Sequence, residues 1–448
     1  MRVLVLSLYD LGRPPLEAFS VAERARQTPI DDGHLIAEVT DLSVDDWPTE
    51  RVAAADVVVL SVPMHTAARM AVAASSRIRS EGSVAAIAAL GLYAHFAGSA
   101  LDNAVSASFG PDELDGFSKW LSEQTTKGGA PKGFGLAVGS SAQFDPLERY
   151  AQLSIGGDRR VAGALSASTG CLHRCTHCPV PLAFDGRIRL STVESVLADA
   201  SAQVAMGAIH LSFTDPDFLN SPSHARRIVH ALNEAHPGVT FDCTVKIEHI
   251  LRNVAIWPEF AAAGCLFVVS ALESVDDEVL RILDKGHTAA DGEQAVQVLR
   301  SAGIEIRPSL LPFTPWTTVR GIGELLAFAE RFDLVDSIDP VQFSIRLLVP
   351  RGSLLARHAA MLPHLGDYDD DAMTYRWNSA DSDVDALHAR LAPIAEAAAV
   401  EGESPRQTYA RMRTVVAEAL GPDQTILTES IRFGSTEARP KMTEPWFC

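Results

Sequence analysis

Short apolar runs alternate with stretches of helical periodicity along most of this chain, and the alternation divides it. In residues 1–122 the runs RVLVLS (2–7), LIAEVTDL (35–42), ADVVVLSV (55–62) and VAAIAAL (84–90) are close to continuous, the pattern of strands buried on both faces. Between them, PLEAFSVAERARQ (15–27) and TAARMAVAASSRIRS (66–80) carry apolar residues at helical spacing. Strands and helices in turn predict an α/β fold with a doubly wound, Rossmann-like parallel sheet, which binds ligands beyond the carboxyl ends of its strands. No GxGxxG follows the first strand, so a dinucleotide is not indicated.

The Gly/Lys/Pro-containing stretch EQTTKGGAPKGFG predicts a linker, assigned to 123–157. Beyond it the alternation resumes. VAGALSAS (161–168), IHLSF (209–213), VTFDCTV (239–245), LFVVSAL (266–272), IEIRPSL (304–310) and PVQFSIRLL (340–348) read as six strands. VESVLADASAQVAMGA (193–208) and the long stretch 279–303 read as helices between them. Six βα units predict a partial (β/α)6 barrel over 158–365, with its chemistry in the loops after the strands. Residues 366–448 turn polar and helical, a C-terminal capping segment that ends in RPKMTEPWFC.

Composition narrows the classes. At 448 residues the chain exceeds one ordinary core, so several domains are expected. No apolar run reaches the roughly 18 residues of a membrane span, and no membrane partner is expected. MRVLVLSLYDLG lacks the basic start of a signal peptide and reads as a first strand. A formal net charge of −19 argues against a nucleic-acid partner. Six cysteines, three of them clustered, are not a secreted disulfide framework, and a reducing cytoplasm is the expected location.

The clustered cysteines carry the sharpest signal. STGCLHRCTHCPVP (168–181) spaces Cys171, Cys175 and Cys178 as Cx3Cx2C, directly after the first barrel strand. Three thiolates so placed can hold three irons of a 4Fe–4S cube and leave the fourth open. The competing reading is zinc completed by His173 or His177, although no second CxxC supplies another pair. Cys243 and Cys265 lie in apolar strands and read as small buried hydrophobes.

On this spacing, its strand context and the six-unit barrel, the chain resembles the radical S-adenosylmethionine superfamily. The resemblance implies that Cys171, Cys175 and Cys178 hold a 4Fe–4S cluster beside S-adenosylmethionine. The segments ADVVVLSVPMHTAARMAVAASSRIR, LGLYAHF and FGPDE further resemble the cobalamin-binding domain of its cobalamin-dependent members. A corrin ring is then implied across the strand ends, above Met64, His65, Thr66, Gly91, Leu92, Tyr93 and Gly110, with the glycines admitting a flat ligand. The DxHxxG motif that supplies a histidine ligand in other cobalamin proteins is absent. His65 is thus either a cobalt ligand or a hydrogen-bonding loop residue. Arg69 follows one helical turn later; a guanidinium does not ligate metals. It would occupy the lower axial side of the cobalt or remain a solvated helix arginine.

In SFTDPDF (212–218), Asp215 or Asp217 would touch cofactor or adenosyl groups, or else start a helix. In TVKIEHI (244–250), Lys246 and Glu248 point the same way if the strand continues, and Lys246 is expected at a cofactor. Glu273 of SALES ends the fourth strand and would either hold S-adenosylmethionine or ligate the open iron. Arg307, Trp316 and Arg346 are substrate-contact candidates or a packed barrel lip. MHTAAR, CLHRCTHC, SALES and EPWFC, in that order, resemble the tryptophan 2-C-methyltransferases of thiopeptide antibiotic biosynthesis. That resemblance implies methyl transfer from S-adenosylmethionine through cobalamin to C2 of L-tryptophan by a polar route. Catalytic roles for Arg69 and Glu273 and an external electron donor for cobalamin reduction go with it. The alternatives are a radical C-methyltransferase acting on an sp3 carbon, marked by stoichiometric 5′-deoxyadenosine, and a corrinoid-binding sensor, marked by ligand-dependent partner binding.

Overall fold

The computed structural model describes residues 1–30, 35–124, 144–427 and 439–444. The four N-terminal strands are β1 (Arg2–Ser7), β2 (Ile36–Asp41), β3 (Val57–Ser61) and β4 (Ala86–Leu90). A fifth, β5 (Ala107–Phe109), is too short for periodicity to reveal. All pair in parallel in the order β2-β1-β3-β4-β5. This order reverses direction between β1 and β3, which puts the ligand crevice beyond their carboxyl ends. β3 is buried at every position because helices cover both faces. Leu4, Leu6, Val58 and Leu60 pack on Ala67, Ala71 and Ile78 of the helix His65–Ser80. Val3, Val5, Val57 and Val59 pack on Ala18, Val21 and Ala22 of the helix Leu16–Arg26.

Much of the expected linker, 125–143, lies outside the described residues. The remainder is not a free connector. β6 (Leu153–Ile155) and β7 (Asp158–Arg160) form an antiparallel hairpin, turned by Gly156 and Gly157 at positive φ. Leu153 is fully buried against Phe267 and Val269, which makes the hairpin a plug for the barrel. A Gly-Gly pair between two short strand-like runs was the signal for it.

The barrel strands are β8 (Ala162–Leu165), β11 (His210–Phe213), β12 (Thr240–Thr244), β13 (Cys265–Glu273) and β14 (Glu305–Leu310). Between β8 and β11 a short antiparallel pair, β9 (Ser168–Gly170) and β10 (Ile188–Leu190), closes an excursion of the chain. The five long strands are parallel, ordered β14-β13-β12-β11-β8. The sixth expected strand, 340–348, is instead a 3-10 turn, Pro340–Ser344, followed by one bridge between Phe313 and Arg346. Pro340 lacks the N–H a ladder needs. The Gln342 side chain substitutes for the missing strand by accepting from Leu310 N at 2.8 Å.

The long helix expected at 279–303 divides into Asp277–Ile282 and Ala289–Ser301. Thr288 and Asp291 form a capping box that starts the second helix, so residues 283–288 are released as a loop. The C-terminal segment is not wholly helical either. Its helices Ser382–Glu401 and Pro405–Leu420 join the barrel core through Leu387, Leu391, Met412 and Val416. Ahead of them β15 (Leu365–Asp369) and β16 (Thr374–Trp377) form an antiparallel hairpin. β17 (Lys441–Met442) adds to β6, and residues 445–448, with Cys448, lie outside the described residues.

Two glycines of the first sheet separate sharply. Gly91 sits at φ +138°, and a Cβ there would lie 2.7 Å from the Val62 carbonyl. Gly110 has nothing nearer than 3.6 Å. Gly91→Ala is expected to cost at least about 2 kcal/mol of stability. Gly110→Ala should stay within about 0.5 kcal/mol. Urea unfolding of the two variants beside the parent chain checks the contrast.

Candidate functional site

The three clustered cysteines sit in the excursion that β9 and β10 close. Gly170 makes the closure possible: it has φ +82°, and a Cβ there would lie 2.3 Å from the Arg187 carbonyl. Cys171 and Cys175 are buried and Cys178 half-buried, all as free thiols. A turn bond from Cys178 N to Cys175 O (3.2 Å) sets the last two. Thr176 anchors the loop, with its N donating to Leu283 O (3.0 Å) and its Oγ1 to Ile282 O (2.9 Å). Burial pushes the Cys171 thiol up, and the Cys178 thiol to about 12. Buried thiols of this kind ionise when positive charge arrives, which irons supply.

Donor geometry bears on the choice between cluster and mononuclear zinc. A single zinc at about 2.3 Å from each sulfur draws thiolates to about 3.8 Å of one another. Among the described residues, the trio of ligand atoms within 4.8 Å of one another is His173, Asp217 and His249, not the three thiols. The three sulfurs are therefore not drawn together as the ligands of one zinc would be. His173 meets His249 and His177 meets Glu273.

Glu273 ends β13 at φ +62°, where the β13–β14 register shifts. A non-glycine residue in the left-handed region costs about 1–3 kcal/mol and persists only when its surroundings fix it. Two contacts do so. Lys285 Nζ donates to Glu273 Oε1 at 3.1 Å, and His177 Nε2 lies 3.3 Å from the same atom. Burial works against ionising Glu273, but the Lys285 charge and the His177 bond outweigh it and hold the carboxyl well below its usual range. Lys285, likewise penalised by burial, is raised by Glu273 and by the nearby Cys175 and Cys178. Sequence reading missed Lys285 because it falls inside the stretch taken as one helix. The Lys-Gly pair before a capping Thr marked the break.

Asp215 and Asp217 part ways. Asp215 accepts from Ala167 N (3.0 Å) and Ser168 Oγ (2.5 Å), which fixes the strand leading into the cysteine loop; burial raises it to about 6. With its oxygens so used, it positions the loop rather than touching a ligand. Asp217 is fully buried, and its Oδ2 lies 2.8 Å from His249 Nδ1 without hydrogen-bond alignment. Burial, with the charges of Lys246 and His249, lowers His173 to about 4, a neutral imidazole at pH 7. β12 stops at Thr244, yet Lys246 and Glu248 still meet at 3.6 Å across the start of the helix Ile247–Arg252. Besides Asp217 and His249, His177 Nδ1, Asn220 Nδ2 and His287 Nδ1 are buried without partners near the loop. Polar atoms orphaned on this scale fit a bound polar ligand.

On the first sheet, His65 donates from Nε2 to the Ala372 carbonyl at 2.8 Å, and burial lowers its pKa. That nitrogen is therefore engaged with the β15–β16 turn, as the hydrogen-bonding loop reading of His65 has it. Thr66 and Arg69 are exposed, and among the described residues the Arg69 guanidinium has no bonded partner. Met64 and Tyr93 pack against the apolar cluster that includes buried Met373. Leu92 packs on Cys171, Cys178, Val180 and Phe184, so the β4 loop abuts the cysteine loop. The close approach of Val62 requires glycine at 91 whether or not a ligand lies above it. Gly110 N donates to Glu113 Oε2 at 2.7 Å, and a Cβ there would meet nothing nearer than 3.6 Å. Where the sheet order reverses, Glu17 Oε2 is buried and unpartnered, and burial, reinforced by Asp10, pushes Glu17 up to about 8. A neutral, unpaired acid at the switch point fits an amide-rimmed ligand such as a corrin.

The barrel-lip candidates are engaged within the protein. Trp316 Nε1 donates to Ala360 O (3.1 Å), and Arg307 pairs with Asp339 (3.0 Å). Arg346 pairs with Asp385 (2.7 Å) and lies 3.7 Å above the Trp377 ring. Arg307 Nη1 nevertheless is buried without a partner among the described residues.

Comparison with known proteins follows this geometry. Residues 165–326 match the family model of the Radical SAM superfamily, which implies a 4Fe–4S cluster and S-adenosylmethionine. The ribosomal protein uS12 methylthiotransferase RimO of Bdellovibrio bacteriovorus is 25% identical over 188 residues, 38% of this chain; the chain spans 41% of that relative. The cobalamin-dependent S-adenosylmethionine radical enzyme OxsB, solved with aqua-cobalamin bound, aligns over 95% of this chain and 74% of its own. Its TM-score is 0.68 at 14% identity. The radical S-adenosylmethionine methyltransferase TsrM from Kitasatospora setae, solved with tryptophan substrate and the analogue aza-SAM, covers 79% of this chain and 75% of its own. Its TM-score is 0.57 at 18% identity. The fold is that of these cobalamin-dependent radical enzymes. No helix among the described residues is long and apolar enough to cross a membrane.

The buried pair yields a stability test on the cluster-free chain. Lys285→Met leaves Glu273 buried without its cation, and a loss of about 3–5 kcal/mol at pH 7 is expected. The double variant Glu273→Gln/Lys285→Met should recover most of it. Because the folded carboxyl lies below its unfolded value of about 4.3, the pair stabilises above that pH and loses its contribution as pH falls further. The gap between Lys285→Met and the parent should therefore narrow in acid. Urea unfolding at pH 7 and below pH 4 reads both effects.

Proposed function

We propose that this chain is a cobalamin-dependent methyltransferase that moves a methyl group from S-adenosylmethionine to C2 of L-tryptophan by a polar route. Cys171, Cys175 and Cys178 would hold the cluster, while the crevice edged by Met64, Thr66, Arg69, Leu92, Tyr93 and Gly110 would hold the corrin. Together with S-adenosylmethionine these groups supply methyl-transfer chemistry. The first and second sites adjoin through Leu92, so a donor and a flat acceptor between them would be enclosed by this chain's own loops.

The observation that carries the polar route is Glu273. It is buried and ionised, and Lys285, which pairs with it, also faces Cys175 and Cys178. A carboxylate held there is suited to the iron position that the three cysteines leave open. With that position taken by protein, the amino and carboxylate groups of S-adenosylmethionine have no iron to chelate, and reductive cleavage is disfavoured. Arg69, an exposed guanidinium without a partner at the crevice, would meet the lower face of the corrin as a cation that cannot ligate.

A second reading rests on the same carboxylate. Glu273 Oε1 already meets both Lys285 and His177, and a carboxylate so engaged can stay off the iron. The chain would then be a radical methyltransferase acting on an sp3 carbon.

The experiment is anaerobic reconstitution with iron, sulfide and hydroxocobalamin, followed by turnover with S-adenosylmethionine, a chemical reductant and L-tryptophan. Expected are a product heavier than tryptophan by one CH2 unit, the methyl gained less the ring hydrogen lost, and no stoichiometric 5′-deoxyadenosine. Cys171→Ala should abolish both the cluster absorption and the product. Glu273→Ala should keep a cluster with a changed electron-paramagnetic-resonance spectrum. Stoichiometric 5′-deoxyadenosine would select the radical reading, and zinc at the cysteines with no corrinoid affinity overturns both.

A further inference from the structure

Beside the cysteine loop, three side chains from three different barrel segments converge. His173 lies within the loop, Asp217 follows β11 and His249 lies in the helix after β12. His173 Nε2 is 3.2 Å from His249 Nε2 and 3.8 Å from Asp217 Oδ2, and His249 Nδ1 is 2.8 Å from Asp217 Oδ2. One nitrogen from each histidine and a carboxylate oxygen of Asp217 lie within 4.8 Å of one another, so small side-chain rotations bring all three onto one ion at about 2.0–2.1 Å. Asp217 is completely buried with Oδ2 unpartnered, and His249 Nδ1 is unpartnered as well. A buried carboxylate oxygen aimed at two imidazoles and bonded to neither is an expensive arrangement without a cation.

The next layer of residues supports the same reading. Glu248 Oε2 lies 3.7 Å from His173 Nδ1, on the ring edge away from His249. A carboxylate behind a ligating histidine fixes its ring and raises its basicity. Arg252 holds Glu248 from the far side at 2.6 Å. Asp217 Oδ1 is fixed separately by Leu219 N at 3.1 Å, which leaves Oδ2 free to point inward. From this geometry we infer that His173, Asp217 and His249 form a mononuclear site for a divalent transition-metal ion, distinct from the three-cysteine site. Two imidazoles and one carboxylate leave coordination positions open, and the two histidines, unlike Asp217, retain some exposure through which an ion enters.

The test uses zinc as the probe. In the full chain with Cys171, Cys175 and Cys178 all changed to alanine, neither a cluster nor a thiolate site at the loop can form. After exposure to zinc sulfate and desalting, this variant is expected to retain one zinc per chain. Its X-ray absorption should show only nitrogen and oxygen neighbours, at about 2.0–2.1 Å. Adding Asp217→Asn or His249→Gln should weaken zinc binding at least about tenfold, with circular dichroism confirming the fold of each. Should the triple variant not fold, zinc and iron are counted together in the wild-type chain after cluster reconstitution. One zinc beyond the cluster irons is expected there, and its loss in Asp217→Asn. The inference is overturned if the folded chain retains no zinc, if sulfur appears among the zinc neighbours of the triple variant, or if Asp217→Asn and His249→Gln bind as tightly as their parent. Failure of the cluster to assemble would count against the proposed function and leave the triple-variant result standing.

Discussion

The contact on which the cysteine site depends is the ion pair between Glu273 and Lys285. Both groups are almost fully buried, so each is costly alone and tolerable only with the other. The pair fixes two features of the chain. It holds the end of β13 in a left-handed conformation that glutamate would otherwise avoid, and it ties that end to the loop after Ile282. The same loop receives two bonds from Thr176, between the second and third cysteines. A chain of three contacts thus runs from the fourth long strand of the barrel to the thiols. Replacing the pair by apolar side chains would keep the packing but release the direction of the carboxylate.

A second set of contacts ties the two sheets together. The β15–β16 hairpin leaves the barrel domain and lays its turn on the carboxyl edge of the first sheet. His65 bonds to Ala372, Ser99 to Asp370, and Tyr368 covers Gly98 at a distance that admits no Cβ. On the barrel side, Val349 N donates to Thr374 Oγ1 at 2.8 Å and Tyr375 N to Val349 O at 2.9 Å. The hairpin is held at both ends, and with Leu92 on the cysteine loop it fixes the carboxyl edge of the first sheet relative to the cysteines. Positioning a donor and an acceptor depends on such fixed separations.

Much of this was legible from the chain. The four long runs of the first sheet and five of the six barrel strands follow from continuous apolar segments, because parallel strands covered on both faces have no polar side to break the run. The errors have local causes. Residues 340–348 are as apolar as a strand, but Pro340 and the Gln342 side chain replace the ladder. The β6–β7 hairpin is too short to show a period and was marked only by its glycines. Of the site, the cysteines were visible because spacing alone carries the chemistry. Lys285 and the Asp217–His249 contact were not, since they depend on which loops the fold brings together across 12 and 32 positions of sequence.

Asp215 and Asp217 show how far two residues of one type can diverge at this barrel mouth. Separated by Pro216, both are buried, and sequence offers the same two readings for each. Asp215 meets two donors from the segment before the cysteines, so its charge is spent locally on the shape of the loop. Asp217 meets one backbone donor and leaves its second oxygen toward two imidazoles. The difference is one of partners, not of burial, and it decides which carboxylate remains available for a ligand. A fold that needs the cysteine loop rigid and a polar neighbour reactive is served by this division: the first aspartate orders the loop, and the second, thereby fixed beside it, keeps an oxygen uncommitted.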